Sequence, residues 1–244
     1  MAPRGKQPQK TAKPTGQSDS ITKPKPQAPN WPPLTPLIPA EHLSLETRWP
    51  SLVLLVRNLF TSSLCKNYVS FLSSLPLTTT PGKPKRGQAA RVNDRFQVED
   101  PVFSKMLWEH SGLQYLVDSF EDPATFGGKV LGLNPNIRVY RYRPGQFFDL
   151  HYDESNKLEF GEVKVPAKTT WTLLIYLTAC EGGETVFYPE PRRKGDKTPD
   201  PIVVEPETGM ALLHKHGDDC LLHEGREVKS GEKWVLRSDL VVQR

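Results

Sequence analysis

Two histidines, an aspartate and a lysine have the residue types of a metal centre with an anion site beside it. His151 and Asp153 are two positions apart in a predicted β-strand, so their side chains are expected on one side of the backbone. His223 lies in a second predicted strand, and Lys233 follows in a third. Two imidazoles and a carboxylate can cap one face of an octahedral metal, an arrangement typical of non-haem Fe(II) centres. The open positions suit a chelating 2-oxo acid and O2, and Lys233 can hold the far carboxylate of that acid.

The choice of the second histidine rests on which candidate is followed by a cation. His42 and His110 are expected at surface or packing positions, whereas His214 and His216 lie in an apolar strand and are expected to pack or to support the ligands. Only His223 is followed by a basic residue on the next predicted strand. We call His151, Asp153 and His223 the metal triad. Zn²⁺ is a physical competitor for such a triad, and the cosubstrate lysine favours iron.

The composition divides the chain of 244 residues into a tail and one domain. Residues 1–40 are rich in Pro and Lys, which predicts a disordered or polyproline-like tail. Residues 41–244 are predicted to form a single domain. Within it, residues 41–135 read as helical support with extended segments, and residues 136–244 as the core.

The core pattern favours a mainly β fold with supporting α-helices. Eight short apolar segments follow residue 136, separated by Gly, Pro and charged turns. This predicts a double-stranded β-helix, or jelly roll, with the N-terminal helices packed on one sheet. The helices are expected after residue 60 and after Glu99-Asp100-Pro101.

Cysteine usage and hydropathy favour an intracellular protein. The three cysteines are widely spaced and predict no disulfide framework. No run approaches the roughly 18 apolar residues of a membrane span. We therefore expect cytoplasmic or nuclear localisation, with the basic run 83–86 (KPKR) as weak support for nuclear import.

Several stretches together resemble the prolyl 4-hydroxylases of the Fe(II)/2-oxoglutarate-dependent dioxygenase superfamily. These stretches are 141–146 (RYRPGQ) leading to HYD at 151–153, 172–177 (TLLIYL) with 182–185 (GGET), and 223–225 (HEG) with 231–234 (GEKW). The resemblance covers residues 136–242. The helical part before it is similar only in general layout.

The resemblance implies specific roles and a reaction. The metal triad is implied to bind Fe(II), and Lys233 to pair with the C5 carboxylate of 2-oxoglutarate. Tyr142 matches the tyrosine that hydrogen-bonds this carboxylate, and Thr172 matches a threonine of the same pocket. The implied reaction uses O2 and 2-oxoglutarate to hydroxylate a C–H bond, with release of succinate and CO2. A prolyl residue of a protein is the implied target, and L-ascorbate an implied further requirement.

Arg237 is an alternative anchor for the cosubstrate. On a regular strand it points to the same side as Lys233, and relatives in the wider superfamily use arginine there. Lys233 is favoured because its spacing from His223 resembles that of prolyl hydroxylases. Arg237 can equally pair with an acid such as Asp239 or Glu184.

The substrate is less well specified than the chemistry. The resemblance implies a protein or peptide substrate, and a basic tail is the only support for a nucleic-acid partner. A small-molecule or nucleic-acid oxygenase of the same superfamily and a non-catalytic jelly-roll binding module are the alternatives. Residues 78–96 and 189–201 are expected either to frame the substrate entrance or to be solvated connectors. The sequence gives no indication of the oligomeric state.

Overall fold

The computed structural model describes residues 27–80, 84, 89–191, 193 and 195–244. The predictions for residues 1–26 and for most of the basic run 83–86 lie outside the described residues. Among the described helices, none has the length of a membrane span, and the longest has 11 residues.

The described residues form three α-helices and seventeen β-strands. The helices are α1 (Ser62–Leu72), α2 (Pro101–His110) and α3 (Leu113–Asp118). The strands before the core are β1 (Glu46–Trp49), β2 (Val53–Val56), β3 (Thr78–Thr79), β4 (Arg91–Val92), β5 (Asp94–Glu99) and β6 (Val130–Leu133). Those of the core are β7 (Asn136–Tyr142), β8 (Phe147–His151), β9 (Lys157–Phe160), β10 (Val165–Tyr176), β11 (Glu181–Gly182), β12 (Thr185–Tyr188), β13 (Ile202–Val204), β14 (Ala211–Lys215), β15 (Leu222–Gly225), β16 (Val228–Ser230) and β17 (Lys233–Gln243).

Two antiparallel sheets form the predicted jelly roll, and the mainly β fold class is confirmed. The larger sheet runs in the order β1-β2-β14-β10-β17-β7-β5-β3, with β6 paired to β17 and β9 paired to β10. The smaller sheet runs β13-β12-β15-β8-β4, and β11 pairs with β16 in a separate ribbon. The ribbon strands and β9 are the three core strands that the sequence pattern missed, because none of them contains a run of apolar residues.

Side-chain alternation gives the larger sheet two different faces. On β17, Trp234 and Leu236 join the apolar cluster that contains the helices, as predicted for helices packed on one sheet. Val235 belongs instead to the second cluster, which lies between the sheets. Lys233 and Arg237 have the same parity as Val235 and line the inter-sheet cavity with it. A single strand therefore supplies both the core and the site.

Acceptor side chains begin the first two helices. The Thr61 hydroxyl accepts a hydrogen bond from the Leu64 amide at 3.2 Å, and the Asp100 carboxylate accepts one from the Phe103 amide at 2.9 Å. Each satisfies an amide that has no partner within its own helix. The predicted acidic start of α2 is thus an N-cap.

The N-terminal segment requires a correction, because folded structure begins well before residue 41. The Trp31 indole stacks on Phe103 with a centroid distance of 4.0 Å and donates to Asp100 Oδ2 at 2.8 Å. Leu34 is buried, and the Tyr68 hydroxyl donates to the Pro32 carbonyl at 2.9 Å. Two apolar side chains among many prolines are enough to attach residues 31–34 to the helices.

Candidate metal centre

Strand pairing in the smaller sheet brings the two imidazoles of the metal triad together. His151 is the last residue of β8 and pairs directly with His223 of β15. Such antiparallel pairs have Cα atoms about 4.5–5.5 Å apart. Asp153 lies just beyond the end of β8, in the connection to β9, so its prediction as a strand residue is corrected. Its carboxylate still reaches the imidazoles, with Oδ1 3.7 Å from His151 Nε2.

The triad presents its donor atoms to a common point. One donor atom from each residue lies within 4.8 Å of the other two. The Nδ1 atom of His151 is 2.8 Å from the Asp149 carbonyl oxygen, and that of His223 is 2.9 Å from the Leu221 carbonyl oxygen. Since a carbonyl can only accept, Nδ1 carries the proton and the Nε2 lone pair is free for a metal.

Protonation states also fit a metal centre. Burial, and then the charge of His223, lowers the pKa of His151 to about 4. Burial lowers the pKa of His223 as well. Burial alone would raise the pKa of Asp153, but the Arg237 guanidinium and nearby imidazoles outweigh it and hold that pKa well below its usual value. Two neutral imidazoles and one carboxylate make a donor set that suits a divalent metal such as Fe(II).

The remaining oxygen of Asp153 is held by two side chains of the larger sheet. Arg237 Nη2 donates to Asp153 Oδ2 at 2.9 Å, and the Thr172 hydroxyl donates to the same oxygen at 2.8 Å. Arg237 also lies 3.6 Å from Asp239 Oδ1. Two carboxylates therefore hold Arg237, one of them the predicted partner Asp239. Both donors orient Asp153 so that Oδ1 faces the imidazoles.

Thr172 requires a correction. It was predicted to line the cosubstrate pocket with Lys233, but its hydroxyl contacts Asp153 and lies 3.0 Å from His216 Nδ1. The reason is the register of β10, which places Thr172 opposite Asp239 and not opposite Lys233. His216 is buried and supports Thr172, in line with the packing or support role expected of it.

Lys233 is buried, and its described hydrogen-bond partners are uncharged. Its Nζ donates to the Gly183 carbonyl at 2.6 Å and to the Thr185 hydroxyl at 3.4 Å. The ammonium lies 5.7 Å from the ring centroid of Tyr142 and 5.2 Å from that of Tyr176. No described carboxylate forms an ion pair with it, and burial lowers its pKa to about 8. A buried cation held only by neutral acceptors is a fitting site for an anionic ligand.

Glycine at position 183 makes room for this lysine. Gly183 has a φ of +70°, and a Cβ there would lie 3.0 Å from Cys180 Sγ and 3.3 Å from Lys233 Cδ. The left-handed backbone and the close approach both exclude a side chain. The GGET stretch thus positions Lys233 through its backbone, since the Gly183 carbonyl is the closest partner of the ammonium.

One narrow cavity of about 50 Å³ joins the metal triad to the lysine pocket. Its lining includes the whole triad at one end and Tyr142, Thr185 and Lys233 at the other. Tyr142 was predicted there, and it pairs directly with Lys233 across β7 and β17. Thr185 was not predicted, although it ends the recognised GGET stretch and its hydroxyl lies 2.8 Å from that of Tyr176.

Three further residues at the site were missed by the sequence reasoning or given only a general role. Phe148 stacks on His151 with a centroid distance of 3.6 Å. His214 Nε2 lies 3.7 Å from Asp153 Oδ2, and its Nδ1 has no hydrogen-bond partner among the described residues. The Cys220 thiol accepts from the Asp153 amide at 3.3 Å. His214, Cys220 and His223 also have donor atoms within 4.8 Å of one another, but His223 is shared with the triad.

Comparison with known proteins finds a family match for the core. Residues 137–238 match the model of the 2OG-Fe(II) oxygenase superfamily. Prolyl 4-hydroxylase 13 of Arabidopsis thaliana is 33% identical over 112 residues, which are 41% of this chain and 40% of that protein. Prolyl 4-hydroxylase 1 of the same plant is 37% identical over 111 residues, covering 40% and 38%. The chain thus spans about two fifths of the length of these relatives.

A solved structure shows the same fold. The viral collagen prolyl hydroxylase from Paramecium Bursaria Chlorella virus-1, in its 2OG complex, superposes with a TM-score of 0.51 at 19% identity. The match covers 78% of this chain and 96% of that chain. At this identity the likeness extends to the jelly-roll architecture.

Proposed function

We propose that this chain hydroxylates a prolyl residue in a peptide or protein substrate, because residues 137–238 match the 2OG-Fe(II) oxygenase superfamily and part of the chain is similar to prolyl 4-hydroxylases. The reaction would use 2-oxoglutarate and O2 with Fe(II). A requirement for L-ascorbate and a cytoplasmic or nuclear location stay predictions.

The observation that carries the proposal is the shared cavity of the metal triad and Lys233. A metal alone would need the triad but not a buried ammonium. A ligand that chelates a metal at one end and carries a carboxylate at the other uses both ends of this cavity. 2-Oxoglutarate has this chemistry.

The residues of the site would have three roles: binding the metal and the cosubstrate, orienting the metal ligands, and excluding water. His151 and His223 would bind the metal through Nε2, and Asp153 through Oδ1. When bound, Fe(II) with O2 supplies the oxidative decarboxylation of 2-oxoglutarate to succinate and CO2, coupled to hydroxylation of a C–H bond.

The supporting side chains would act before any chemistry occurs. Arg237 and Thr172 fix the rotamer of Asp153, and Lys233 would neutralise the far carboxylate of the cosubstrate. The apolar side chains of Leu174 and Val235 line the same cavity and would limit the entry of water, which strengthens the ion pair.

A peptide substrate is supported by apolar side chains on the surface beside the triad. Leu150 is 45% exposed and Tyr152 is 55% exposed, and they flank His151 in the chain. Large exposed apolar residues next to a site are typical of contact with a partner. The curated relatives named prolyl 4-hydroxylases support the choice of proline.

The test is a mass-spectrometric assay with proline-containing peptides. The Fe(II)-loaded protein is incubated with 2-oxoglutarate and O2, and succinate release and the gain of one oxygen by the peptide are measured together. The variant His223→Ala is expected to abolish both, because one imidazole ligand is removed. The control His110→Ala removes an exposed histidine at the end of α2 and should keep both.

Two results would contradict the proposal. One is a wild-type protein that binds the metal and 2-oxoglutarate but oxidises no peptidyl proline in a diverse peptide set. The other is full succinate release by a folded His223→Ala variant.

A further inference from the structure

A second, larger cavity lies beside the metal centre and is lined by arginines. It has a volume of about 310 Å³. Four arginines from four different strands line it, namely Arg91 of β4, Arg95 of β5, Arg138 of β7 and Arg237 of β17. Such convergence of guanidinium groups from distant parts of the chain is not explained by the proposed binding of metal or 2-oxoglutarate.

Two of these arginines, Arg91 and Arg95, have no carboxylate partner among the residues that the structure describes. Arg237 pairs with Asp153 at 2.9 Å, and Arg138 pairs with Asp239. Within the described residues, no carboxylate lies within 4.0 Å of a nitrogen of Arg91 or Arg95. The other acid of the lining besides Asp153 is Glu154, which is exposed. The cavity thus carries an excess of positive charge.

The sheet register places these charges against one another. Arg138 of β7 pairs directly with Arg237 of β17. Arg95 of β5 pairs with Tyr140, which is two residues after Arg138 on β7. Like charges on neighbouring strands are destabilising. Burial lowers the pKa of Arg95, and although Tyr140 opposes this, the charges of Arg91 and Arg138 lower it further. An anion in the cavity would relieve this repulsion.

The arginine cavity and the lysine pocket lie on either side of a common wall. Tyr140, Phe148, Asp153 and Arg237 line both cavities. Lys233 lines only the narrow cavity, whereas Arg91, Arg95 and Arg138 line only the large one. A ligand in the large cavity would therefore reach the metal centre from a different side than the cosubstrate does.

We propose that the arginine cavity binds an anionic side chain of the substrate, so that the substrate class is an acidic proline-containing peptide. This inference rests on the proposed hydroxylase function and specifies its substrate. Carboxylates and phosphoryl groups share the chemistry that guanidinium groups recognise. Nucleic acid is disfavoured because strands also need free aromatic faces for base stacking. Phe148 is already covered by Arg91, at 4.8 Å, and by the ring of His151.

The test separates binding from turnover. The protein loaded with metal and 2-oxoglutarate is kept without O2, and the affinities of four labelled probes are measured by fluorescence anisotropy. Three are matched proline-containing peptides that carry glutamate, phosphoserine or glutamine beside the proline. The fourth is a single-stranded oligonucleotide.

The glutamate or the phosphoserine peptide is expected to bind about tenfold more tightly than the glutamine peptide. Arg95→Gln and, separately, Arg91→Gln are expected to reduce that preference to less than about threefold. Arg95→Lys, which keeps the charge, should restore part of it. The control Arg48→Gln removes an exposed arginine from β1 at the opposite edge of the larger sheet and should leave the preference intact.

Thermal melting shows that each variant is folded before its binding is interpreted. Equal affinity for all three peptides in the wild-type protein would overturn the inference, as would tighter Arg95-dependent binding of the oligonucleotide than of any peptide. The same peptides are then exposed to O2 and analysed by mass spectrometry. Arg95-dependent binding without oxygen gain would overturn the proposed hydroxylase but not the anion site. Equal hydroxylation of acidic and neutral peptides would overturn the anion site but not the hydroxylase.

Discussion

Replacement of Lys233 by methionine should stabilise the ligand-free protein at pH 7 while removing its affinity for 2-oxoglutarate. The lysine side chain is 5% exposed and has only neutral hydrogen-bond partners among the described residues. Methionine keeps much of its length and apolar volume but carries no charge. The variant therefore separates the stability cost of the buried ammonium from its role as an anion site.

The magnitude follows from the pKa. Burial lowers the pKa of Lys233 from 10.5 to about 8, which at about 1.4 kcal/mol per pH unit disfavours the folded, protonated form by about 3 kcal/mol at pH 7. The substitution also leaves the Gly183 carbonyl without its partner, which costs about 1–2 kcal/mol. The net expectation at pH 7 is a gain of about 1–2 kcal/mol in the free energy of unfolding.

The pH dependence has a definite sign. Because the folded-state pKa is lowered, the buried ammonium destabilises the wild-type protein in full below pH 8. This cost decreases as the pH rises from 8 and is absent above pH 10.5, where Lys233 is neutral in both the folded and the unfolded state. The wild-type protein should therefore gain stability relative to Lys233→Met as the pH rises from 8 towards 10.5. The advantage of the variant should shrink over this range and reverse in sign before its upper end, because the lost hydrogen bond to Gly183 still costs the variant about 1–2 kcal/mol.

Urea denaturation of both proteins at pH 7 and at pH 9.5 measures this difference. Calorimetric titration of the metal-loaded proteins with 2-oxoglutarate measures the second effect, for which a loss of roughly 30-fold or more is expected when a charge-assisted contact is removed. Lys229→Met, at an exposed position of β16, is the matched control and should change neither quantity. A Lys233→Met variant that is less stable than the wild type at both pH values, or that binds 2-oxoglutarate normally, would refute the reasoning.

Three further predictions concern the support of the site and of the fold. Thr172→Val should weaken metal binding about tenfold or more, because a donor to Asp153 is lost; unchanged affinity in a metal titration would contradict this. Gly183→Ala should lower the free energy of unfolding by at least about 1 kcal/mol and weaken 2-oxoglutarate binding. The control Gly145→Ala, at φ +82° with no atom within 4 Å of a Cβ, should lower the free energy of unfolding only by the backbone cost of its left-handed conformation and should leave 2-oxoglutarate binding unchanged. Trp31→Ala should destabilise the fold by about 2 kcal/mol or more in urea denaturation, since the indole stacks on Phe103; an unchanged midpoint would show that residues 31–34 contribute no stability.

Most of the site residues that could be predicted from the sequence were predicted from their spacing along single strands. His151 and Asp153 were grouped by strand alternation, although Asp153 lies just beyond the end of β8, and His223 was chosen by the cation that follows it. Lys233 and Arg237 were both expected to face the site and both do. Local periodicity was sufficient for Lys233 and Arg237 because both lie on the single strand β17.

Features that depend on register between strands could not be predicted. Thr172 contacts Asp153 because β10 pairs with β17 through Asp239, and no local pattern encodes that pairing. The arginine cavity is a stronger example, since its four arginines come from four strands and three of them, Arg91, Arg95 and Arg138, resemble ordinary surface arginines in the sequence alone. Trp31 was missed for a different reason, because its proline-rich surroundings favour disorder and only tertiary contacts override them.

The common wall between the two cavities has a consequence for how such a protein can diversify. Nearly all of the lysine pocket comes from residues 142–235, whereas three of the four arginines come from residues 91–138. Mutations in the earlier segment can therefore alter which molecule is recognised without touching the groups that handle the cosubstrate. A graft of β4 and β5 with new side chains at positions 91 and 95 is accordingly the smallest exchange by which selectivity could be redesigned on an unchanged reaction centre.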